Sequence, residues 1–119
     1  MPPLAPNSLP KEERLHGKTA VSALISGGKW GGCGHFKYCW RPGNGLEINR
    51  IMVSVPKKYF KRAVKRNLLK RRTREAYRTQ KSLLEATGVD VMFQYNSPEV
   101  ASSGTIETEI RTILGRIKE

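Results

Sequence analysis

Half of the positive charge of this 119-residue chain lies in a single stretch, residues 57–78. These 22 residues carry 11 of the 22 lysines and arginines and only one acidic side chain, Glu75. Like charges at neighbouring helical positions repel one another, and nothing within the stretch compensates them. Any fold must therefore keep this stretch at the surface. We expect its counter-charge to come from a polyanion, of which nucleic acid is the commonest at this density.

The overall composition agrees with such a partner. The net charge is +12 and the isoelectric point is about 10.2, which is typical of nucleic-acid-binding proteins. Because 38% of the residues are hydrophobic, one packed domain is feasible. No apolar run approaches the roughly 20 residues of a membrane span, and no signal peptide is visible. Two cysteines do not make a disulfide framework, so we expect a cytoplasmic protein.

The chain divides into an arm and a domain. Residues 1–13 hold four of the seven prolines and few large apolar side chains, which predicts a flexible N-terminal arm. Residues 14–119 show regular periodicity and form the single domain. Its predicted elements are a helix from residue 15, a glycine-rich loop at 27–34, strands at 35–40 and 49–56, a helix over 62–84, a strand at 89–95 and a helix over 106–117. This order predicts an α/β (α+β) sandwich around one mixed sheet.

The basic stretch sorts its side chains around its predicted helix. At about 100° per residue, the positive residues gather in one sector of roughly two-fifths of the circumference. Together with the loop before it, this sector predicts a nucleic-acid-binding ridge; its members are Lys57, Lys58, Lys61, Arg62, Arg66, Asn67, Lys70, Arg71, Arg74 and Arg78. The same wheel places Tyr77 and Lys81 in the basic sector. It places Leu68, Leu69, Ala76 and Leu83 in a buried stripe.

These residues resemble a known signature. Two lysines, a short loop, and then spaced Arg-Asn, Lys-Arg and Arg-Glu pairs with an aromatic are characteristic of the bacterial ribonuclease P protein component. This chain supplies them as Lys57, Lys58, Arg66, Asn67, Lys70, Arg71, Arg74, Glu75 and Tyr77. It departs from the family at Leu68, where an arginine is usual, so we expect Leu68 to be structural. Looser resemblance of the flanking segments extends the match to about residues 14–118.

The resemblance implies both a fold and a function. The fold would contain a left-handed βαβ crossover, which is rare and not deducible from these residues. The protein would be the small subunit of a ribonucleoprotein endoribonuclease that removes the 5′ leader from precursor tRNA. The RNA subunit would carry the catalytic centre and its Mg²⁺ ions, with the ions held mainly by the RNA and the substrate. The protein's partners would be that RNA and precursor tRNA, with no obligate protein partner and no membrane.

The residues themselves supply no catalytic constellation. Metal-assisted phosphodiester cleavage needs clustered carboxylates, and the acids here are scattered. No Ser/His/Asp or Cys/His set has a recognisable spacing. Cys33, His35 and Cys39 lie close together in sequence, but their spacing does not match a structural zinc site. We therefore predict no catalytic and no metal-binding residues in this chain.

The leader cleft implied by the resemblance lies between the first helix, the sheet and the basic helix. Binding a single strand combines a cationic groove with stacking surfaces. The candidates are Phe36, Tyr38 and Trp40 on one strand face, with Val21 and Ile25 on the first helix. The same strand face could equally be core, and the sequence does not decide between the two. Trp30 in the glycine-rich segment could be a surface anchor or a lid.

Three other functions remain open from the residues alone. The main alternative is a ribosomal or other structural RNA-binding protein with no role in tRNA processing. A DNA-binding module would need a helix-turn-helix spacing, which is absent. A self-sufficient nuclease would need the missing carboxylate cluster.

Overall fold

A four-stranded mixed sheet with three α-helices packed on it forms the described part of the chain. The structure, a computed structural model, describes residues 9–117. The regular elements are α1 (Lys18–Gly27), β1 (Lys29–Cys33), β2 (Phe36–Arg41), β3 (Arg50–Ser54), α2 (Ala63–Arg78), β4 (Asp90–Tyr95) and α3 (Ser103–Arg116). Two short 3₁₀ turns lie at Lys11–Glu13 and Lys81–Leu83.

The strand order in the sheet is β1-β2-β4-β3. β1 pairs with β2 and β2 with β4 in antiparallel register, whereas β3 pairs with β4 in parallel. The parallel pair arises because the chain crosses over the sheet through α2 between β3 and β4. The predicted mixed sheet and α+β class are confirmed. The left-handed sense of the crossover stays a prediction of the resemblance.

The helices divide between the two faces of the sheet. α2 and α3 cover one face and bury Tyr38, Leu69 and Phe93 with their neighbours in the larger core. α1 covers part of the opposite face, where Leu24 and Cys39 form a smaller cluster with Leu15 and Met92. β4 contributes side chains to both clusters, which explains its continuous apolar sequence.

The glycine-rich segment predicted to be a loop is the edge strand β1. Gly31 pairs with Tyr38, and a Cβ atom on Gly31 would come within 2.5 Å of the Tyr38 ring. The glycine therefore permits close approach of the edge strand to an aromatic side chain. The glycine content of the segment had predicted a loop, because glycine is commoner in turns than in strands.

Two helix boundaries also differ from prediction. α1 begins at Lys18, because the backbone N–H of Leu15 donates a 2.7 Å hydrogen bond to Ile51 in β3 instead of continuing a helix. α2 ends at Arg78 and is followed by a 3₁₀ turn, so Leu83 lies outside the helix and is 44% exposed.

The packed part of the chain begins earlier than residue 14, where the domain was predicted to start. Leu9 is 3% exposed in the larger core, and Arg14 forms an isolated parallel bridge with Ile51. The flexible-arm prediction is therefore wrong for residues 9–13, whose apolar anchor the proline count concealed. The rest of the predicted arm, residues 1–8, lies outside the described residues.

The hairpin between β1 and β2 is fastened to α3 by one carboxylate. Glu109 accepts hydrogen bonds from the His35 backbone N–H, at 3.1 and 3.2 Å, and contacts the His35 Nδ1 at 2.6 Å. The hydrogen bond to Glu109 raises the pKa of His35 above its ordinary value, although partial burial opposes the shift. Gly34, the preceding residue, has a φ of +56° and lies directly against the Glu109 carboxylate.

Gly34→Ala should destabilise the protein by about 1–3 kcal/mol, because alanine is strained at a positive φ and its methyl group displaces Glu109. Urea unfolding measures the loss. Gly32→Ala in the same hairpin is the matched control, since the nearest atom to its added Cβ is 3.8 Å away. Equal losses for both variants would contradict this account of the turn.

Candidate RNA interface

The buried face of α2 is formed by Leu69, Thr73, Ala76 and Tyr77. This spacing of four, seven and eight residues defines one helical stripe. The Tyr77 ring is 1% exposed and packs 6.2 Å from the Phe93 ring, and burial raises the pKa of its hydroxyl. The prediction that Tyr77 belongs to the basic sector is wrong, because its aromatic ring belongs to the core stripe.

The predicted basic residues divide into two groups by exposure. The exposed group is Lys57, Lys58, Lys61, Arg62, Asn67 and Arg71, and the half-buried group is Arg66, Lys70, Arg74 and Arg78. Since the buried stripe includes Tyr77, the centre of the exposed face lies nearer Arg71 than Arg66. We call the six exposed residues the basic surface.

Two of the half-buried arginines make contacts within the protein. The Arg66 Nη1 donates to the carbonyls of Phe60 and Lys61, at 2.7 and 2.8 Å, and so closes the loop that leads into α2. Arg78 lies 3.4 Å from Glu75, the one acid in the basic stretch. Arg66 therefore has a structural role that its place in the signature does not reveal.

Leu68 is not part of the core. It is half-buried and lines a groove of about 340 Å³ between α2 and α3, with Arg72 and Glu107. The Arg72 Nη1 donates a 2.7 Å hydrogen bond to the Ala101 carbonyl beside this groove. Of the predicted buried stripe, Leu69 and Ala76 are confirmed, whereas Leu68 and Leu83 lie outside the core.

The aromatic face of β2 is the core face. Phe36, Tyr38 and Trp40 are 2%, 6% and 7% exposed and lie under α2 and α3. Their rings are not available for stacking on RNA bases, which corrects their assignment to the leader cleft. The alternation along the strand could not decide this, because the opposite face is also covered in part, at Cys39.

The other side of the sheet offers a polar surface beside α1. Lys37, Gln94 and Ser54 occupy paired positions on β2, β4 and β3 and share the face on which α1 packs. We call these three residues the polar row. At the nearby strand ends, the Tyr59 hydroxyl donates a 3.4 Å hydrogen bond to the Asn96 side chain, and Lys58 lies over the Tyr59 ring.

Trp30 supplies an aromatic surface on this face. Its side chain is 44% exposed, and the Lys37 Nζ lies 4.9 Å from the centre of its ring. On α1, Ile25 is 46% exposed, whereas Val21 is half-buried against the smaller cluster. Sequence reasoning left the role of Trp30 open because the surrounding glycines concealed its strand. Reading Trp30 and Lys37 as neighbours on paired strands would have found it.

Two other kinds of feature are absent from the described residues, a metal-binding group and a membrane-spanning helix. Within residues 9–117 no group of three or more His, Cys, Asp or Glu side chains could hold a metal ion. Over the same residues, no helix is both long and apolar enough to cross a membrane.

Comparison with known proteins matches the sequence and the fold to the ribonuclease P proteins. The family model for ribonuclease P matches residues 9–118. The ribonuclease P protein component of Porphyromonas gingivalis is 33% identical over 117 residues, covering 92% of this chain and 85% of that protein. That of Burkholderia mallei is 32% identical over 119 residues, with the same coverage. The solved ribonuclease P protein from Thermotoga maritima superposes with a TM-score of 0.78 at 26% identity, covering 90% of this chain and 99% of that structure.

Leu69→Ala should lower the free energy of unfolding by about 2–5 kcal/mol, because it opens a cavity under α2. Leu68→Ala should cost less than about 1 kcal/mol, since this side chain is half-exposed in the groove. Urea denaturation of the pair provides the comparison. Similar losses at both positions would mean that α2 is rotated from the orientation described.

Proposed function

The chain belongs to the ribonuclease P family as its protein component, and from that premise we propose how it holds the two RNAs. The catalytic RNA subunit binds along the exposed side of α2 and the loop before it. The single-stranded 5′ leader of precursor tRNA binds on the sheet face beside α1. The observation that supports this division best is the separation of the two surfaces, one strongly cationic and the other polar and bearing the exposed Trp30 ring.

Catalysis is assigned to the RNA. Among residues 9–117, two acids, Glu99 and Glu109, contact His35, and others pair with Arg50, Arg78, Lys81 and Arg111. No three of these residues' His, Cys, Asp and Glu side chains group in a way that could hold a metal ion. We propose that the RNA subunit and the substrate hold the Mg²⁺ ions, which would supply the activation of water and the charge stabilisation that phosphodiester cleavage needs. The protein contributes positive charge that screens the repulsion between the two RNAs. The cytoplasm, where a bacterium makes its tRNA, is the proposed compartment.

The basic surface fits a folded RNA. α2 has 16 residues and is therefore about 24 Å long, which spans several successive phosphates. Asn67 and Arg71 lie on its exposed side, and the lysines of the preceding loop extend the charge. Arg71 can grip a phosphate with two hydrogen bonds, because no ion pair of residues 9–117 engages it.

The sheet face fits a single strand. An unpaired strand exposes bases that stack on aromatic rings and phosphates that pair with cations. Trp30 supplies an aromatic ring and Lys37 a cation, and the Lys37 Nζ lies 4.9 Å from the centre of the Trp30 ring. Gln94 and Ser54 continue the same row with hydrogen-bonding side chains, which tolerate any leader sequence. Ile25 adds an exposed apolar edge on α1.

Purified RNA-free protein should leave precursor tRNA intact, whereas adding it to the RNA subunit should lower the Mg²⁺ concentration needed for cleavage at the mature 5′ end.

Arg71→Ala should raise the Mg²⁺ concentration that the holoenzyme needs. It should also reduce the slope of log affinity for the RNA subunit against log salt concentration by about 0.7–0.9, the share of one phosphate. The control is Arg111→Ala on α3, which removes an equal charge elsewhere. Cleavage by RNA-free protein, or binding of RNA without any stimulation, would refute the proposal; the second result is expected of a purely structural RNA-binding protein.

Trp30→Ala should weaken binding of precursor tRNA to the holoenzyme by about one to two decades, the contribution of one stacked base. Mature tRNA, which lacks the leader, should bind unchanged. Trp30→Phe should restore much of the affinity. Trp40→Ala is the control for folding, because the buried Trp40 should lower the melting temperature whereas the exposed Trp30 should not. Equal losses for precursor and mature tRNA would show that the leader lies elsewhere.

A further inference from the structure

A groove of about 740 Å³ follows the outer edge of β3, at the opposite end of the sheet from β1 and Trp30. Its apolar lining comes from Leu9, Leu15, Ile51, Met52 and Val53. Its charged and polar lining comes from Lys11, Glu12, Arg14, His16 and Arg74. Its volume exceeds that of the groove between α2 and α3, which is about 340 Å³.

The N-terminal segment creates this groove by wrapping the edge of the sheet. Leu9 belongs to the core under α2 and α3, whereas Leu15 belongs to the cluster under α1. Between them Arg14 bridges to Ile51, and the N–H of Leu15 bonds to the Ile51 carbonyl. This pairing is local, so the strand edge beyond it, at Val53, borders the groove. Most of the apolar wall is deeply buried, but Met52 is half-exposed.

Two arginines, Arg14 and Arg74, line the groove. The Arg14 Nε donates a 3.1 Å hydrogen bond to the Leu9 carbonyl, which fixes the side chain beside α2. No ion pair within residues 9–117 engages Arg14 or Arg74; Glu13 pairs with Lys81, and Glu12 lines the groove without reaching either guanidinium. Burial lowers the pKa of Arg74, and the charge of Arg14 lowers it further.

Such an arrangement is costly in the absence of a ligand. Both guanidiniums stay protonated in proteins, so their repulsion cannot be relieved by losing a proton. An anion placed between them removes the repulsion and replaces the hydration that Arg74 has lost. Phosphate suits the pair best, because a guanidinium binds two of its oxygens at once.

We propose that this groove binds one unpaired nucleotide of the RNA subunit, with its phosphate between Arg14 and Arg74 and its base against Met52. The inference rests on the proposed function and adds a second contact to it. The RNA subunit is favoured over precursor tRNA because Arg74 lies on α2, the helix that carries the basic surface. An unpaired nucleotide is favoured over a duplex because a phosphate alone would leave the apolar wall unused.

The test uses the full chain and its RNA subunit as a holoenzyme. Arg14→Ala and Arg74→Ala should each weaken binding of the RNA subunit by on the order of tenfold. The double variant should lose less than the sum of the two, because both arginines hold one phosphate. Met52→Gln should cost roughly two- to tenfold, the value of a thioether–ring contact. Melting temperatures measured on each protein alone separate lost contacts from misfolding.

Lys11→Ala is the matched control. It removes one positive charge from the same groove, but Lys11 is not one of the two arginines proposed to bind the phosphate. The variant should therefore weaken RNA binding much less. Chemical probing of the RNA subunit provides an independent measurement. One base should be protected by the native protein and exposed with Arg14→Ala and with Met52→Gln.

Each failure points to a different conclusion. Equal losses of RNA affinity for Lys11→Ala and Arg14→Ala would show that the groove acts only through its overall positive charge, and this result would overturn the proposal. Protection of a base in precursor tRNA rather than in the RNA subunit would overturn the assigned source. If Arg71→Ala weakens RNA binding but the groove variants do not, the groove is wrong and the proposed function stands. If none of them weakens binding, the proposed function fails as well.

Discussion

The packing of α2 against the sheet is the contact on which the rest of the structure depends. This helix joins the parallel strands β3 and β4, so its position fixes the strand order of the sheet. It is also the most highly charged segment, and only four buried residues, Leu69, Thr73, Ala76 and Tyr77, hold it in place. Because the buried stripe is narrow, most of the circumference remains available to carry charge. The part of the basic surface that lies on α2, Asn67 and Arg71, is therefore a direct consequence of how little of this helix the core uses.

The same contact determines what the opposite side of the sheet can do. α2 and α3 together satisfy one apolar face, and the short α1 covers only part of the other. The remainder is the polar row with Trp30, which is exposed because α1 is the one helix among residues 9–117 that packs on this face. Anchoring of the β1–β2 hairpin by Glu109 stabilises the strand that carries Trp30. The two surfaces assigned to the two RNAs thus lie on opposite sides of one sheet.

The sequence predicted the elements whose periodicity is strong. Three strands and one helix with regular apolar spacing lie close to their predicted positions, namely β2, β3, β4 and α3. β1 was missed because glycine, which signals a turn on average, here serves close packing against Tyr38. The face of β2 could not be predicted, since both faces are partly buried. Arg66 was predicted to bind RNA, but its guanidinium donates to the Phe60 carbonyl. Whether an arginine contacts a phosphate or a nearby carbonyl depends on loop geometry, which the spacing of residues in the sequence does not reveal.

The charge that makes this protein useful also works against its folding. Like charges on α2, and the Arg14–Arg74 pair at its edge, repel one another most strongly in the folded chain, where they are held together. Bound RNA removes that repulsion only in the folded state, so binding stabilises the fold by an amount that grows with RNA concentration. Arg66 shows how the chain limits the cost, because its charge is directed to the two carbonyls that begin α2 rather than to its neighbours. Stability and RNA affinity are therefore properties of the same helix, and a substitution on its exposed face can lower the second while raising the first.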